Sequence, residues 1–186
     1  MVNTRPTAVW YGGTFDPPHR GHQQIIHHLA ALPFIDAVIV TPAWLNPFKR
    51  ATLASAKQRL HWAHQVFDAP KVTIDPGEVE AGQSVYTIDT LDRLGSRYDI
   101  RYIAIGADNL KQIETWHAFD RLNRQYTWLV FERGEDTAAY EKLKDYQRIP
   151  LDIPVSSSHI RENGILKDVD PCIANDVQNL LTKGTK

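Results

Sequence analysis

Thr7-Ala8-Val9-Trp10-Tyr11-Gly12-Gly13-Thr14-Phe15-Asp16-Pro17-Pro18-His19-Arg20-Gly21-His22 is the stretch on which the fold turns. Residues 7–11 form a short apolar run ending at a glycine pair, the pattern of a buried strand entering a tight turn. Gly12 and Gly13 have no Cβ, so the backbone there can approach a ligand closely. Asp16-Pro17-Pro18 holds the chain extended, because each proline fixes its own φ and restricts its predecessor. Gly21 and His22 then open a helix over 22–32, with Ile25, Ile26, Leu29 and Ala30 on one face. Free N–H groups and the positive end of the helix dipole gather at such a start, which favours a phosphate.

The alternation continues outward. Residues 36–41, 71–74, 100–105 and 126–132 read as strands, and 55–67 and 87–94 as helices. A further helix is expected over 137–147, a short strand at 153–155 limited by Pro154, and terminal helices over 158–162 and 173–181. Strands alternating with helices predict an α/β fold: a Rossmann-like, doubly wound, mostly parallel sheet with helices on both faces. A single domain of ordinary size is expected over 1–186. Ligands of such sheets bind at the carboxyl ends of the strands. Three glycine- or serine-rich junctions fall there: Gly12-Gly13, Gly106 and Ser156-Ser157-Ser158.

Composition narrows the class. The 186 residues are 42 % hydrophobic and 23 % charged, with a net charge of −1, which argues against a nucleic-acid partner. Cys172 is the single cysteine, so no disulfide forms within one chain, which suits a reducing cytosol. The N-terminus lacks a secretory pattern, and no uncharged apolar run reaches the ~18 residues of a membrane helix. A cytoplasmic protein with no membrane partner is expected, with a homo-oligomer left open.

His19 and His22 stand three residues apart at the helix entrance, where both can reach one anion. A zinc pair needs further ligands, and no Cys/His cluster of zinc spacing completes one. In Val155-Ser156-Ser157-Ser158-His159-Ile160-Arg161, serines at a helix start offer hydroxyls and N–H groups to an anion, and Arg161 adds a guanidinium one turn in. Three middle segments bear on a second ligand. Ser84-Val85-Tyr86-Thr87-Ile88-Asp89-Thr90-Leu91 puts hydroxyls and N–H groups at a helix start, a carboxylate site or a plain cap. Ile105-Gly106-Ala107-Asp108 ends a strand with an acid suited to ribose hydroxyls or to capping. Thr115-Trp116-His117 offers a flat ring for stacking on a base or for the core. Trp10, Trp44, Trp62 and Trp128 read as core.

Gly13-Thr14-Phe15-Asp16-Pro17 followed by His19-Arg20-Gly21-His22 resembles the signature of the nucleotidylyltransferase superfamily with the His-x-Gly-His motif. Residues 155–161 are similar to its Ile-Ser-Ser-Thr-x-Ile-Arg motif, with Val155 and Ser158 as conservative replacements. The three middle segments, in order and spacing, resemble the bacterial nicotinate-nucleotide adenylyltransferases over nearly the whole chain. The resemblance implies adenylyl transfer from ATP to nicotinate mononucleotide, yielding deamido-NAD and pyrophosphate in NAD biosynthesis. It implies ATP contacts from Gly12, Gly13, Thr14, Phe15, His19, His22, Gly106, Asp108, Ser157, Ser158 and Arg161, with His19, His22 and Arg161 catalytic. It implies acceptor contacts from Lys49, Tyr86, Thr87 and Trp116, and Mg2+ carried mainly by the ATP phosphates with no protein ligand assigned. Phe48 stands where the family has histidine, and His117 where it commonly has tyrosine. Nicotinamide mononucleotide or phosphopantetheine as acceptor, and a non-catalytic nucleotide sensor, are the competing readings.

Overall fold

Strand β1 (Thr7–Gly13) lies inside a six-stranded sheet whose order is β3-β2-β1-β4-β5-β6. The other strands are β2 (Ala37–Pro42), β3 (Val72–Ile74), β4 (Asp99–Gly106), β5 (Thr127–Glu132) and β6 (Tyr146–Pro150), and every pairing is parallel. A computed structural model describes residues 5–45, 51–132, 140–151 and 155–183.

Period-two alternation splits the core into two layers. From β1, Val9 and Tyr11 point to the face covered by α1 (Arg20–Ala31), α2 (Ala56–Val66), α6 (Ser157–Asn163) and α7 (Pro171–Lys183). Ala8 and Trp10 point to the opposite face, against α4 (Thr87–Leu94), α5 (Phe119–Gln125) and a 3₁₀ stretch, Ala107–Thr115. Helices on both faces of a parallel sheet make this the doubly wound fold expected from the alternation. α1 contributes Ile25, Ile26 and Leu29, and α4 contributes Ile88, Leu91 and Leu94, each set on one helical face.

β1 leads through α1 to β2 on one side, while β4 lies on its other side, so the winding reverses between β1 and β4. Gly12-Gly13 and Gly106 stand at the carboxyl ends of those two strands, facing one crevice.

The structure departs from the sequence expectation in several places. α1 begins at Arg20 with His19 as its cap residue, so His22 sits a turn inside rather than at the opening. Of the helix expected over 137–147, residues 137–139 lie outside the described residues, and the rest is not helical as expected: Tyr140–Lys142 is a single 3₁₀ turn and β6 occupies Tyr146–Pro150. β6 is an edge strand with only Ile149 buried, so it carries too little apolar alternation to be read. Of the strand expected at 153–155, Ile153 and Pro154 lie outside the described residues and Val155 is not in a strand. The helices α3 (Gly77–Ala81) and α5 have no counterpart in the sequence expectation.

Candidate active site

Two neighbouring sites occupy the crevice. The first is built on the 12–22 loop. Gly12 leaves no room for a side chain, since a Cβ would run into the Trp10 ring, and a Cβ on Gly13 would lie 2.7 Å from Phe15. Phe15 has a positive φ of 49° and is buried, its ring packed edge-on against Tyr11, His22 and Phe67. Its side chain therefore belongs to the core, and only its backbone faces the loop.

His19 is buried and stacks on His22, with ring centroids 3.7 Å apart and planes at 22°. The His19 amide donates to His22 Nδ1 at 3.2 Å, which places the proton of a neutral His22 ring on Nε2. Gly21 makes this stack fit: a Cβ there would lie 3.1 Å from the His19 ring and 3.2 Å from Val155.

The second strong segment closes on the same loop. Ser157 Oγ donates to the Pro17 carbonyl at 2.9 Å, and Arg161 Nη1 donates to the Asp16 carbonyl at 2.6 Å. Arg161 Nη2 reaches Ser158 Oγ at 3.0 Å, while Ser156 caps α6 by accepting from the His159 amide. His19, His22, Ser157, Ser158 and Arg161 are thus gathered around one turn. Asp108 is exposed beyond β4, with its carboxylate over Gly106, where a Cβ would collide with it.

The adjoining site is a cleft of about 500 Å3. Gly12, Gly13 and Thr14 of the 12–22 loop line it, together with Tyr86, Thr87, Trp116 and His117. Trp116 is half-buried and meets Trp128 edge-on at 6.1 Å, leaving part of its ring toward the cleft. Tyr86 is 57 % exposed and stacks on His117 at 4.2 Å. No side chain caps α4 at Tyr86. Lys49, with Asn46, Pro47 and Phe48, lies outside the described residues. Gly106 and Asp108 do not line this cleft, although Asn109 does.

Four polar residues that sequence reasoning missed hold the two sites in place. Asp16 is buried and accepts from the Leu53 and Ala54 amides at 2.8 and 3.0 Å. Arg59 is wholly buried, and donates to the carbonyls of Thr14, Ala43, Trp44 and Ala54. Burial pushes its guanidinium below the ordinary arginine range, opposed by Asp16 and Glu78. Its place on the inward stripe of α2 with Trp62, Ala63 and Val66 is the signal that marks it in the sequence. Asp75 accepts from Thr41 Oγ1 at 3.1 Å and from Arg93 at 2.6 Å, and Thr41 in turn accepts from Trp10 Nε1 at 2.8 Å. This chain fixes the Trp10 ring in the cleft wall, so Trp10 is both core and site. Glu78 is the fourth, buried at the cleft on an α3 too short to show periodicity. Trp62 and Trp128 are core as expected, and Trp44 is half-buried.

Among the described residues, no group of three or more His, Cys, Asp or Glu is arranged to hold a metal, and no helix is long and apolar enough to cross a membrane.

Known proteins resemble this chain in sequence and in fold. The cytidylyltransferase-like family model matches residues 10–163. A protein of Sulfurovum sp. (strain NBC37-1), described as probable nicotinate-nucleotide adenylyltransferase, is 39 % identical over 183 residues, 97 % of each chain. A Nitratiruptor sp. protein of the same description is 33 % identical over 90 % of this chain and 94 % of its own. In fold, the Plasmodium falciparum nicotinic acid mononucleotide adenylyltransferase complexed with NaAD superposes with a TM-score of 0.73 at 18 % identity, over 97 % of this chain and 96 % of that one. With its two motifs folded onto one turn and its relatives matched end to end, this chain belongs to the cytidylyltransferase-like family, as one of the nicotinate-nucleotide adenylyltransferases.

Proposed function

We propose that this protein transfers the adenylyl group of ATP to nicotinate mononucleotide, giving deamido-NAD and pyrophosphate, as a step of NAD biosynthesis. The observation that carries the reading is the shared wall: Gly12, Gly13 and Thr14 line the ring-sized cleft and lead directly into the His19–His22 stack. An acceptor in the cleft then presents its phosphate to a nucleotide held at the turn.

In the reaction an oxygen of the acceptor 5′-phosphate attacks the α-phosphorus of ATP in line. The new phosphorus–oxygen bond forms as the bond to the β-phosphate oxygen breaks, and that electron pair leaves with pyrophosphate. No protein nucleophile is needed, so the chain contributes position and charge. Orientation of two bound reactants supplies up to about 7–11 kcal/mol in well-aligned systems. His22 Nε2–H and the His19 ring donate to phosphate oxygens, and Arg161 adds its charge from α6. The uncapped start of α4 offers the Tyr86 and Thr87 backbone to the nicotinate carboxylate, and Trp116 stacks on the pyridine ring. Mg2+ bound through the ATP phosphates, with no protein ligand assigned, would neutralise phosphate charge. With ATP as its substrate and a lone thiol, the protein fits the cytoplasm.

A pyrophosphate-release assay tests this. Nicotinate mononucleotide should outperform nicotinamide mononucleotide and phosphopantetheine, and a preference for either of those overturns the acceptor assignment. His22→Ala should lower kcat on the order of 10²–10³-fold, as loss of one transition-state donor does; equal rates remove His22 from the mechanism.

A further inference from the structure

Glu78 is a carboxylate in a costly place. It is 7 % exposed and lines the cleft from α3, away from the phosphate turn. Its Oε2 accepts from the Trp44 amide at 3.0 Å, and the Val85 amide faces the carboxylate and favours its charged form. Those amides belong to two segments that meet at the cleft. Trp44 lies in the segment that follows β2, and Val85 in the segment that enters α4 beside Tyr86 and Thr87. Ser84 Oγ donates to the Leu45 carbonyl at 2.6 Å, a second tie between the same two segments.

The chemistry of the side chain matches this task. An ionised carboxylate is an acceptor only and satisfies two inward-pointing amides at once, whereas a glutamine carbonyl satisfies one and turns an NH2 toward the other. Glu78 is flanked by Asp75, itself paired with Arg93, and by the Arg59 guanidinium. Burial pushes the Glu78 carboxyl up from the ordinary range; the Trp44 and Val85 amides hold it back, Asp75 adds to the rise, and Arg59 opposes it.

We propose that Glu78 is a positioning residue for the acceptor: by holding the Trp44 amide and facing the Val85 amide it joins the segment after β2 to the one entering α4, and so sets the placement of the Tyr86 and Thr87 backbone. Its hydrogen-bond partner follows β2 and its other amide neighbour enters α4 beside Tyr86 and Thr87, so its effect falls chiefly on the acceptor. The inference rests on the adenylyl-transfer reading of the cleft.

The test is steady-state pyrophosphate release by the full chain, wild type against Glu78→Gln and Glu78→Asp, with each substrate varied at saturation of the other. The aspartate keeps the charge but withdraws it by one methylene, and serves if the glutamine variant folds poorly. The expected result in a folded variant is an acceptor KM raised about tenfold, the loss of roughly one charge-assisted hydrogen bond, with the ATP KM within about twofold of wild type. A structural role alone lowers the active fraction, and so kcat, without moving KM; an unchanged acceptor KM, or equal rises for both substrates, overturns the proposal. A wild type inert with nicotinate mononucleotide but active with another acceptor overturns only the acceptor assignment, and the KM comparison is then made with that acceptor.

Discussion

Burying Arg59 removes a guanidinium from water and gives it four backbone carbonyls in return, from the loops after β1 and β2 and from residue 54. A planar fork with fixed donor directions suits that task where a lysine ammonium does not. Arg59→Met keeps the stem and leaves buried carbonyls unpaired. It should cost about 2–4 kcal/mol by the sum of a few such losses, read as a lower urea midpoint at unchanged m-value. Arg59→Met with wild-type stability would mean the carbonyls find other donors. Arg59, Asp16 and Glu78 share a reason for having escaped the sequence reading. Each bonds to main-chain amides or carbonyls, and a main-chain partner carries no residue identity that spacing or composition reveals. His19, His22, Ser157 and Arg161 were legible because glycines, prolines and serines around them announce a turn and a helix start. Their gathering at one point is visible in the fold, and His22→Ala tests the role of one of them.

At the scale of elements, the end of β1 is the most constrained part of the sheet. The Trp10 ring lies over Gly12 and is pinned through Thr41 to Asp75 and Arg93, so it has nowhere to retreat. Gly12→Ala should therefore expel the ring from the cleft wall, costing about 1–3 kcal/mol as overpacking does and weakening acceptor binding. Thermal melts and acceptor KM report both effects, and an alanine variant matching wild type in each would show that the ring is not fixed. The inner strands and the long helices α1, α2 and α4 were readable because burial on two faces or one helical stripe leaves a strong period. β6 was not, since Tyr146 and Arg148 face solvent and the edge has one buried position. α3 and α5, of five and seven residues, are too short to complete a periodic pattern and lack the serine cap that marks α6, of equal length to α5.

At the scale of the molecule, the C-terminal segment is fastened across the beginning of the chain. Arg161 and Ser157 hold Asp16 and Pro17, the Arg20 amide donates to the Asp168 carbonyl, and Gln23 reaches both Val66 and Asp170. A nucleotide that adds its phosphates to this junction should stiffen the whole fold. At about 100 times its Kd, a ligand contributes roughly 2.7 kcal/mol, or about 5–10 °C in Tm for a chain of this size. Wild type should show that rise with MgATP, and Arg161→Ala should show less than half of it at the same concentration; equal shifts would remove Arg161 from the nucleotide site. The same fastening sets a timetable for biosynthesis. Synthesis proceeds at about 5–20 residues per second, so the glycine turn leaves the ribosome many seconds before its brace. β1 must also wait for β4, which follows β2 and β3 in the chain but pairs on the opposite side. A nascent chain therefore carries the histidine turn before Ser157 and Arg161 can brace it.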